Sequence, residues 1–175
     1  TVNHAPGWIT MRSRTTSRGM VEGEIKIPEG FPSNWDKQMG FRIVEMSGEK
    51  VVGEYVVDER HHQPYGIVHG GVHCSAVETV CSIGAGLSSR ERGSAHGVVG
   101  LENHTSFIRA VRSGKVTVIA TPITRGRQSQ LWEAESRDDE GRLIAKGKVR
   151  LLCLQADAVV GGRTLDGRED DHGGT

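Results

Sequence analysis

The sequence predicts an α+β fold in which an antiparallel sheet wraps around one long helix. Apolar residues recur at helical spacing from Gly71 to about Leu87. Four strand-like runs follow this segment, and a hairpin signal precedes it. At 175 residues the chain is long enough to bury a substantial core in one compact domain. These observations favour a single domain built around the long helix.

Two elements are predicted before the long helix. The stretch "PSNWDKQMG", residues 32–40, has the pattern of a short helix, because Ser33 can cap its start and Gly40 can end it. Residues 41–58 contain two β-rich runs around Ser47-Gly48, which is typical of a hairpin. The chain therefore enters the long helix from a hairpin.

The four runs after the helix have the composition of strands and are separated by short polar turns. We expect them to follow one another as a meander: His96 to Ile108, Lys115 to Arg125, Ser129 to Asp138 and Arg142 to Leu154. The folded domain is expected to cover residues 30–155. Residues 1–29 are predicted to form an irregular arm, and residues 156–175 a polar, acidic and glycine-rich tail.

The composition of the chain limits the classes of molecule that we expect it to bind. The chain has 22 basic and 22 acidic residues, so charge gives no reason to expect nucleic acid or an anionic membrane as partner. No apolar run approaches the roughly 20 residues of a membrane span. The three cysteines include no Cys-x-x-Cys pair, which favours a reducing, cytoplasmic setting over a disulfide framework or a structural zinc site.

A single acid, Glu78, lies in the middle of the small and apolar helical run. Burying a carboxylate there is costly unless another group pairs with it or the protein uses it. The run begins at Gly70 and Gly71, where backbone N–H groups are unpaired, lie at the positive end of the helix dipole and can be approached closely. This pattern predicts an oxyanion site at the helix start, with Glu78 and Ser82 sharing one helix face further along.

Other interpretations of these residues remain open. Glu78 could be a structural acid paired with an arginine, and His69 could brace the loop without taking part in chemistry. His69 and His73 have the i, i+4 spacing of metal ligands, but no acid follows His69, so a metal site is not expected. Asn103 or His104 could line a pocket, or be a polar residue of a strand pair.

Four motifs, in this order and at natural loop spacings, resemble those of hotdog-fold acyl-CoA thioesterases. They are "VHGGVHCSAVE" (68–78), "VVGLENHTSFIRAVRSG" (98–114), "RGRQSQLWEAE" (125–135) and "DEGRLIAKGKVRL" (139–151). The resemblance covers about residues 31–154 and is closest to the 4-hydroxybenzoyl-CoA and phenylacetate-pathway type. Glutamate on the helix, where many relatives have aspartate, favours the 4-hydroxybenzoyl-CoA-like subtype.

The resemblance implies hydrolysis of an acyl-CoA, for which aromatic acyl groups are one option, to the free acid and CoA without a cofactor. It places Glu78 as general base or nucleophile, and the sequence does not choose between the two. The Gly70 N–H would be the oxyanion donor, Ser82 would orient the water, and Gln63 would touch the thioester. His69 completes the set of candidate catalytic residues.

Further residues are candidates for binding substrate or CoA: Gly71, Asn103, Arg125 and Arg127. Arginine suits the CoA phosphates because its donors form a fork. The family also implies self-association to a dimer or tetramer with shared sites, since Gly70 and Glu78 are roughly 12 Å apart along one helix. The alternatives are a non-catalytic acyl-CoA-binding hotdog protein and a hotdog hydratase or dehydratase, although the Asp-x-x-x-x-His pattern of the latter is missing.

Overall fold

The computed structural model describes residues 8–12, 24–28, 32–93, 97–155 and 157–164. Two α-helices and one 3-10 turn lie in these ranges: α1 (Asn34–Met39), the 3-10 turn (Glu59–His61) and α2 (Gly70–Glu91). No helix in the described ranges is both long enough and apolar enough to cross a membrane. The predicted long helix is α2, which begins one residue before Gly71 and extends beyond Leu87.

The strands confirm the predicted α+β class. They are β1 (Trp8–Arg12), β2 (Glu24–Pro28), β3 (Arg42–Met46), β4 (Val51–Val56), β5 (Gly97–Phe107), β6 (Lys115–Arg125), β7 (Ser129–Arg137), β8 (Leu143–Leu154), β9 (Val159–Val160) and β10 (Arg163–Thr164). Strands β3 to β8 form one antiparallel sheet, and α2 packs on it. The strand predicted from His96 begins at Gly97, and His96 itself lies outside the described residues.

The order in the sheet is β3-β4-β6-β7-β8-β5, so the predicted meander is wrong for β5. This strand pairs with β8 at the sheet edge, although β6 follows it in sequence. The connecting residues 108–114 run back across the sheet end, where Ile108 and Arg109 donate backbone hydrogen bonds to the Ile144 carbonyl. Seven extended residues span about 23 Å, more than the roughly 14 Å across three strand spacings.

The core lies between α2 and the sheet. Strand β7 alternates half-buried and buried residues, as expected for a strand with one face on a helix. Its Trp132 is fully buried and lies against Gly84 of α2. The Trp132 indole donates to Gln130 Oε1 (3.0 Å), and the Gln130 amide donates to the Ala85 carbonyl (3.0 Å) and to Ser89 Oγ (2.6 Å). This buried network attaches the second half of α2 to β7.

Helix α1 has the termini that the sequence predicts. Ser33 Oγ accepts from the Asp36 N–H, and the Asp36 carboxylate accepts from the Ser33 N–H, which forms a capping box. Gly40 ends the helix at φ 60°, a left-handed conformation that glycine adopts without strain. Asp36 also accepts from Thr79 Oγ1 (3.4 Å), which joins α1 to α2 beside Glu78.

The segments outside the central domain are more regular than the sequence suggests. Strands β1 and β2 pair with each other within residues 1–29, so the expectation of an irregular arm is wrong there. Strands β9 and β10 form a second short pair inside the predicted tail. Short runs such as "WITMR" are too brief for periodicity to identify them. The remaining residues of the arm and tail, including 165–175, lie outside the described residues, and the domain boundaries stay a prediction.

We expect Gly84→Ala to lower the free energy of unfolding by about 1–3 kcal/mol, because an added Cβ would lie within 2.6 Å of the Trp132 ring atom Cη2. Gly86→Ala is the matched control on the same helix. Its Cβ would meet Val98 at an ordinary 3.9 Å, so the change should be neutral or stabilising by up to about 1 kcal/mol. Urea unfolding of both variants measures this, and equal values would contradict the packing described.

We expect acid to destabilise the protein partly through His73, a buried side chain on α2. Burial lowers the pKa of His73 to about 4, whereas an unfolded histidine titrates near about 6.5. As the pH falls from about 6.5 to 4, the unfolded chain gains a proton that the folded chain does not, so stability declines by about 3 kcal/mol.

Unfolding free energies of wild type and His73→Leu, measured across this pH range, check the expectation. The variant should lack this part of the decline, while His104→Leu, at an exposed histidine, should follow the wild-type pH dependence. Parallel curves for wild type and His73→Leu would show that other groups cause the acid sensitivity.

Candidate active site

Glu78 is half-buried on α2, and neutral donors hold its carboxylate. Ser82 Oγ donates to Oε1 (3.4 Å), one helical turn further along, as their spacing predicts. Asn103 Nδ2, on the neighbouring strand β5, donates to Oε2 (3.0 Å). Within the described ranges no lysine or arginine forms an ion pair with Glu78, which counts against a purely structural ion-pair role.

A cavity of about 320 Å³ opens beside Glu78. Its walls come from α1, α2 and β5: Ser33, Trp35, Cys74, Ser75, Glu78, Thr79 and Asn103. Trp35 supplies an aromatic surface and most of the other side chains are polar. Local sequence patterns do not predict Trp35 at this position, because the approach of α1 to α2 depends on long-range packing. The cavity can therefore accept a group with both apolar and polar surface next to a carboxylate.

The start of α2 is a second group of candidate residues. His69 is the N-cap, and its Nδ1 accepts from the Gly71 N–H (2.9 Å). This bond occupies the Gly71 donor, and in the neutral ring it leaves the proton on Nε2. The Gly70 N–H has no acceptor in the described part of the chain. Phe107 comes so close that a Cβ on Gly70 would lie 2.6 Å from its ring.

The loop before α2 is fixed by hydrogen bonds from the segment that follows β5. Arg112 Nη1 donates to the carbonyls of Tyr65 (2.9 Å) and Gly66 (3.2 Å), and His62 Nε2 donates to the Arg112 carbonyl (2.9 Å). Gln63 lies inside this loop, where its N–H bonds to the Ile67 carbonyl (2.9 Å). Arg112 thereby positions the segment that carries Gln63 and leads to Gly70.

Within one chain, the residues at the start of α2 are too far from Glu78 to act on the same atom. Gly70 is the first residue of α2 and Glu78 lies eight residues further, about 12 Å along the axis. Gln63, His69 and Gly70 do not line the cavity beside Glu78. A thioester bound at one group would therefore not reach the other group of the same chain.

The candidate arginines lie far from both groups. Arg125 and Arg127 are at the turn between β6 and β7, beyond the carboxyl end of α2, where Arg92 donates to the Arg125 carbonyl. Glu78 is about 20 Å from that end of the helix. Arg125 is already ion-paired with Glu49, whereas Arg127 is exposed. Arg127 is therefore the more accessible cation of the two.

In the described part of the chain, the histidine and cysteine side chains do not cluster into a metal-binding site. His73 packs in the core against Phe107, with ring centroids 6.2 Å apart, and so does not share a surface with the N-cap His69. Over the described ranges, no group of three or more histidine, cysteine, aspartate or glutamate side chains is arranged to hold a metal ion. Cys81 is buried in the core, while Cys74 lines the cavity.

The chain is similar in sequence and in fold to known proteins. A family model described as the thioesterase superfamily matches residues 65–145. A protein of Mycobacterium tuberculosis is 36% identical over 122 residues, which cover 70% of this chain and 87% of that protein. Its solved structure has a TM-score of 0.67 at 35% identity and covers 71% of this chain and 98% of its own.

Two further relatives have names that describe thioesterases. The proofreading thioesterase EntH of Cronobacter turicensis is 35% identical over 118 residues, 67% of this chain and 84% of EntH. The structure of a thioesterase from Haemophilus influenzae has a TM-score of 0.63 at 31% identity, covering 71% of this chain and 85% of that one. By sequence and by its hotdog fold, the chain belongs to the thioesterase superfamily.

Proposed function

We propose that the protein hydrolyses an acyl-CoA thioester to the free acid and CoA, with Glu78 as the acting carboxylate. The observation that carries the proposal is a half-buried glutamate that faces a cavity, held by neutral donors from Ser82 and Asn103. A carboxylate without a cationic partner keeps an oxygen available for a proton or for bond formation. The thioesterase names of the relatives support the same reaction class.

The reaction needs a nucleophile and a donor for the charge that develops on the carbonyl oxygen. In the base route, Glu78 takes a proton from a water near Ser82, the water oxygen attacks the thioester carbon, and the C–S bond breaks. The CoA sulfur leaves with the proton from Glu78. In the nucleophile route, a Glu78 oxygen attacks the thioester carbon, the C–S bond breaks and the CoA thiolate leaves. Water then opens the mixed anhydride and one of its protons goes to the CoA sulfur, which restores the Glu78 carboxylate and releases the free acid. In both routes the oxyanion is stabilised by the Gly70 N–H at the positive end of α2 in a second chain.

Self-association would unite the two groups of residues. Strand β5 lies at the sheet edge and exposes Leu101 (57%) and Phe107 (58%), and Ile108, the residue after the strand, is also exposed (53%). An exposed apolar edge strand favours pairing with another chain. In a dimer with antiparallel α2 helices, Glu78 of one chain would lie near Gln63 and Gly70 of the other. A tetramer of such dimers would keep these composite sites.

The cavity and the arginine turn support finer parts of the proposal. A volume of about 320 Å³ with Trp35 as one wall suits an aromatic acyl group, whose ring could pack on the indole. Thr79, on the wall of the cavity, supplies a polar partner for a ring substituent. We place the nucleotide of CoA near Arg127 and Arg125, with Arg127 as the more accessible cation.

We expect Glu78→Gln to keep the fold and the oligomer but to lower kcat by at least about 100-fold, because the amide can be neither base nor carboxylate nucleophile. The substitution keeps the side-chain shape, so substrate binding should persist. A panel of aromatic and aliphatic acyl-CoA thioesters, assayed for release of free thiol, measures the effect. Near wild-type turnover in the folded variant would exclude Glu78 as the acting residue. A wild-type protein that binds acyl-CoA without releasing thiol would instead be a binding protein.

The composite site is testable by mixing two inactive variants. Gly70→Pro removes the donor N–H at the first helical position, and its Cβ requires the exposed Phe107 ring, 2.6 Å away, to turn aside. Glu78→Ala removes the carboxylate. A mixed dimer has one site with both intact groups and one with neither. Random mixing makes half of the dimers mixed, so about a quarter of wild-type kcat should return. Absence of recovery in a sample that mass spectrometry shows to contain mixed dimers would place the whole site within one chain.

A further inference from the structure

Strand β5 contains a bulge directly opposite Glu78. Gly100 pairs with Leu151 of β8 and Glu102 pairs with Arg150, which leaves Leu101 as an extra residue on β5. In a regular strand, residues three apart point to opposite faces of the sheet. Because of the bulge, Gly100 and Asn103 both point towards α2. Two residues of one strand thereby reach the same carboxylate.

Gly100 leaves the space that the Glu78 carboxylate occupies. A Cβ on Gly100 would overlap Glu78 Oε1 well inside van der Waals contact, and it would also lie 3.2 Å from the carboxyl carbon. Glycine inside a strand weakens the strand unless a close approach requires it. The close approach here is that of the Glu78 side chain. Any larger residue at position 100 would move the carboxylate.

Asn103 supplies the donor on the other oxygen, and its orientation is determined. Its Nδ2 donates to two acceptors, Glu78 Oε2 (3.0 Å) and the Cys74 carbonyl (3.0 Å). Its Oδ1 accepts from Thr105 Oγ1 (2.7 Å). A flipped amide would direct its oxygen at two acceptors and its NH₂ at the Thr105 hydroxyl, so the observed orientation is the favourable one. Every hydrogen-bonding atom of the Asn103 amide is used within the chain.

We propose that this carboxylate cradle, formed by Gly100, Asn103 and Thr105, fixes the position of Glu78 for the reaction. This inference rests on the proposed function. Asn103 is then a positioning residue that acts through Glu78, rather than the substrate-binding residue that the sequence motif suggested. Thr105 acts one step further away, by holding the Asn103 amide so that its NH₂ faces Glu78. The cradle restricts the carboxylate before substrate arrives, which lowers the cost of reaching the reactive geometry.

Thr105 gives the sharpest test because two substitutions separate hydrogen bonding from packing. Thr105→Val keeps the branched shape and removes the hydroxyl, whereas Thr105→Ser keeps the hydroxyl and removes a methyl. For a positioning role, Thr105→Val should lower kcat about tenfold with little change in KM, and Thr105→Ser should stay within about twofold of wild type. If Thr105 only packs, the order reverses: valine is silent and serine destabilises. That reversed order would overturn the proposal.

Two changes next to Glu78 should act more strongly. Asn103→Asp replaces the donor with a like charge, and Gly100→Ala forces Oε1 back by about 1 Å, so each should lower kcat about 100-fold with KM nearly unchanged. A crystal structure of Gly100→Ala should show the displaced carboxylate, a readout that needs no turnover. Gly86→Ala and His104→Gln, on the helix and on the opposite face of β5, are matched controls that should keep wild-type kcat.

The outcomes separate this inference from the proposed function. Wild-type release of thiol from an acyl-CoA decides the proposed function by itself. Given that activity, an Asn103→Asp protein with raised KM and normal kcat would make Asn103 a substrate contact and overturn the cradle. Unchanged kcat in both Asn103→Asp and Thr105→Val would also overturn it. Asn103→Asp is nearly isosteric with the native side chain, so the test does not depend on whether Gly100→Ala folds.

Discussion

The close packing of α2 on the sheet is the constraint on which the rest of the structure depends. Its buried face consists mainly of small residues, and Gly84 admits the Trp132 ring so that helix and sheet lie close together. The Gln130 amide anchors the same half of the helix by donating to the Ala85 carbonyl. The short distance between α2 and the sheet determines which strand residue each α2 side chain contacts. At the other half of the helix it brings Glu78 onto β5.

The chemistry is divided between two parts of one rigid element. The start of α2 offers the Gly70 N–H, which has no acceptor among the described residues, and Glu78 lies two turns further, against the bulge of β5. A helix cannot bend to bring such groups together, so their separation is as fixed as the helix itself. Under the proposed mechanism, activity on one carbonyl requires a second chain, and we propose that this chain binds at the apolar edge of β5. In this proposal one chain supplies only part of each active site, and the second chain supplies the rest.

The site depends on neutral hydrogen bonds more than on ion pairs. Ser82 and Asn103 hold the Glu78 carboxylate, His69 caps α2, and Arg112 uses its charge on backbone carbonyls of the preceding loop. Neutral donors orient a carboxylate without neutralising it. The exposed face of the sheet contrasts with this, because ion pairs such as Lys146 with Glu135 cross between its strands. Ion pairs therefore lie on the surface, whereas Glu78 in the cavity has no lysine or arginine partner among the described residues.

Local sequence patterns predict the features that depend on neighbours along the chain, because helical spacing, capping and alternation are local. These features are α2, the caps of α1, the shared face of Glu78 and Ser82, and the strand content. The sequence also indicates the family, because the family motifs are short and can be recognised without the fold. Only the folded chain shows that β5 pairs with β8, since this pairing joins strands that are distant in sequence and does not follow chain order. The bulge at Leu101 reverses the alternation of β5, and this non-local register, which no two-residue period predicts, is the reason that Asn103 faces Glu78.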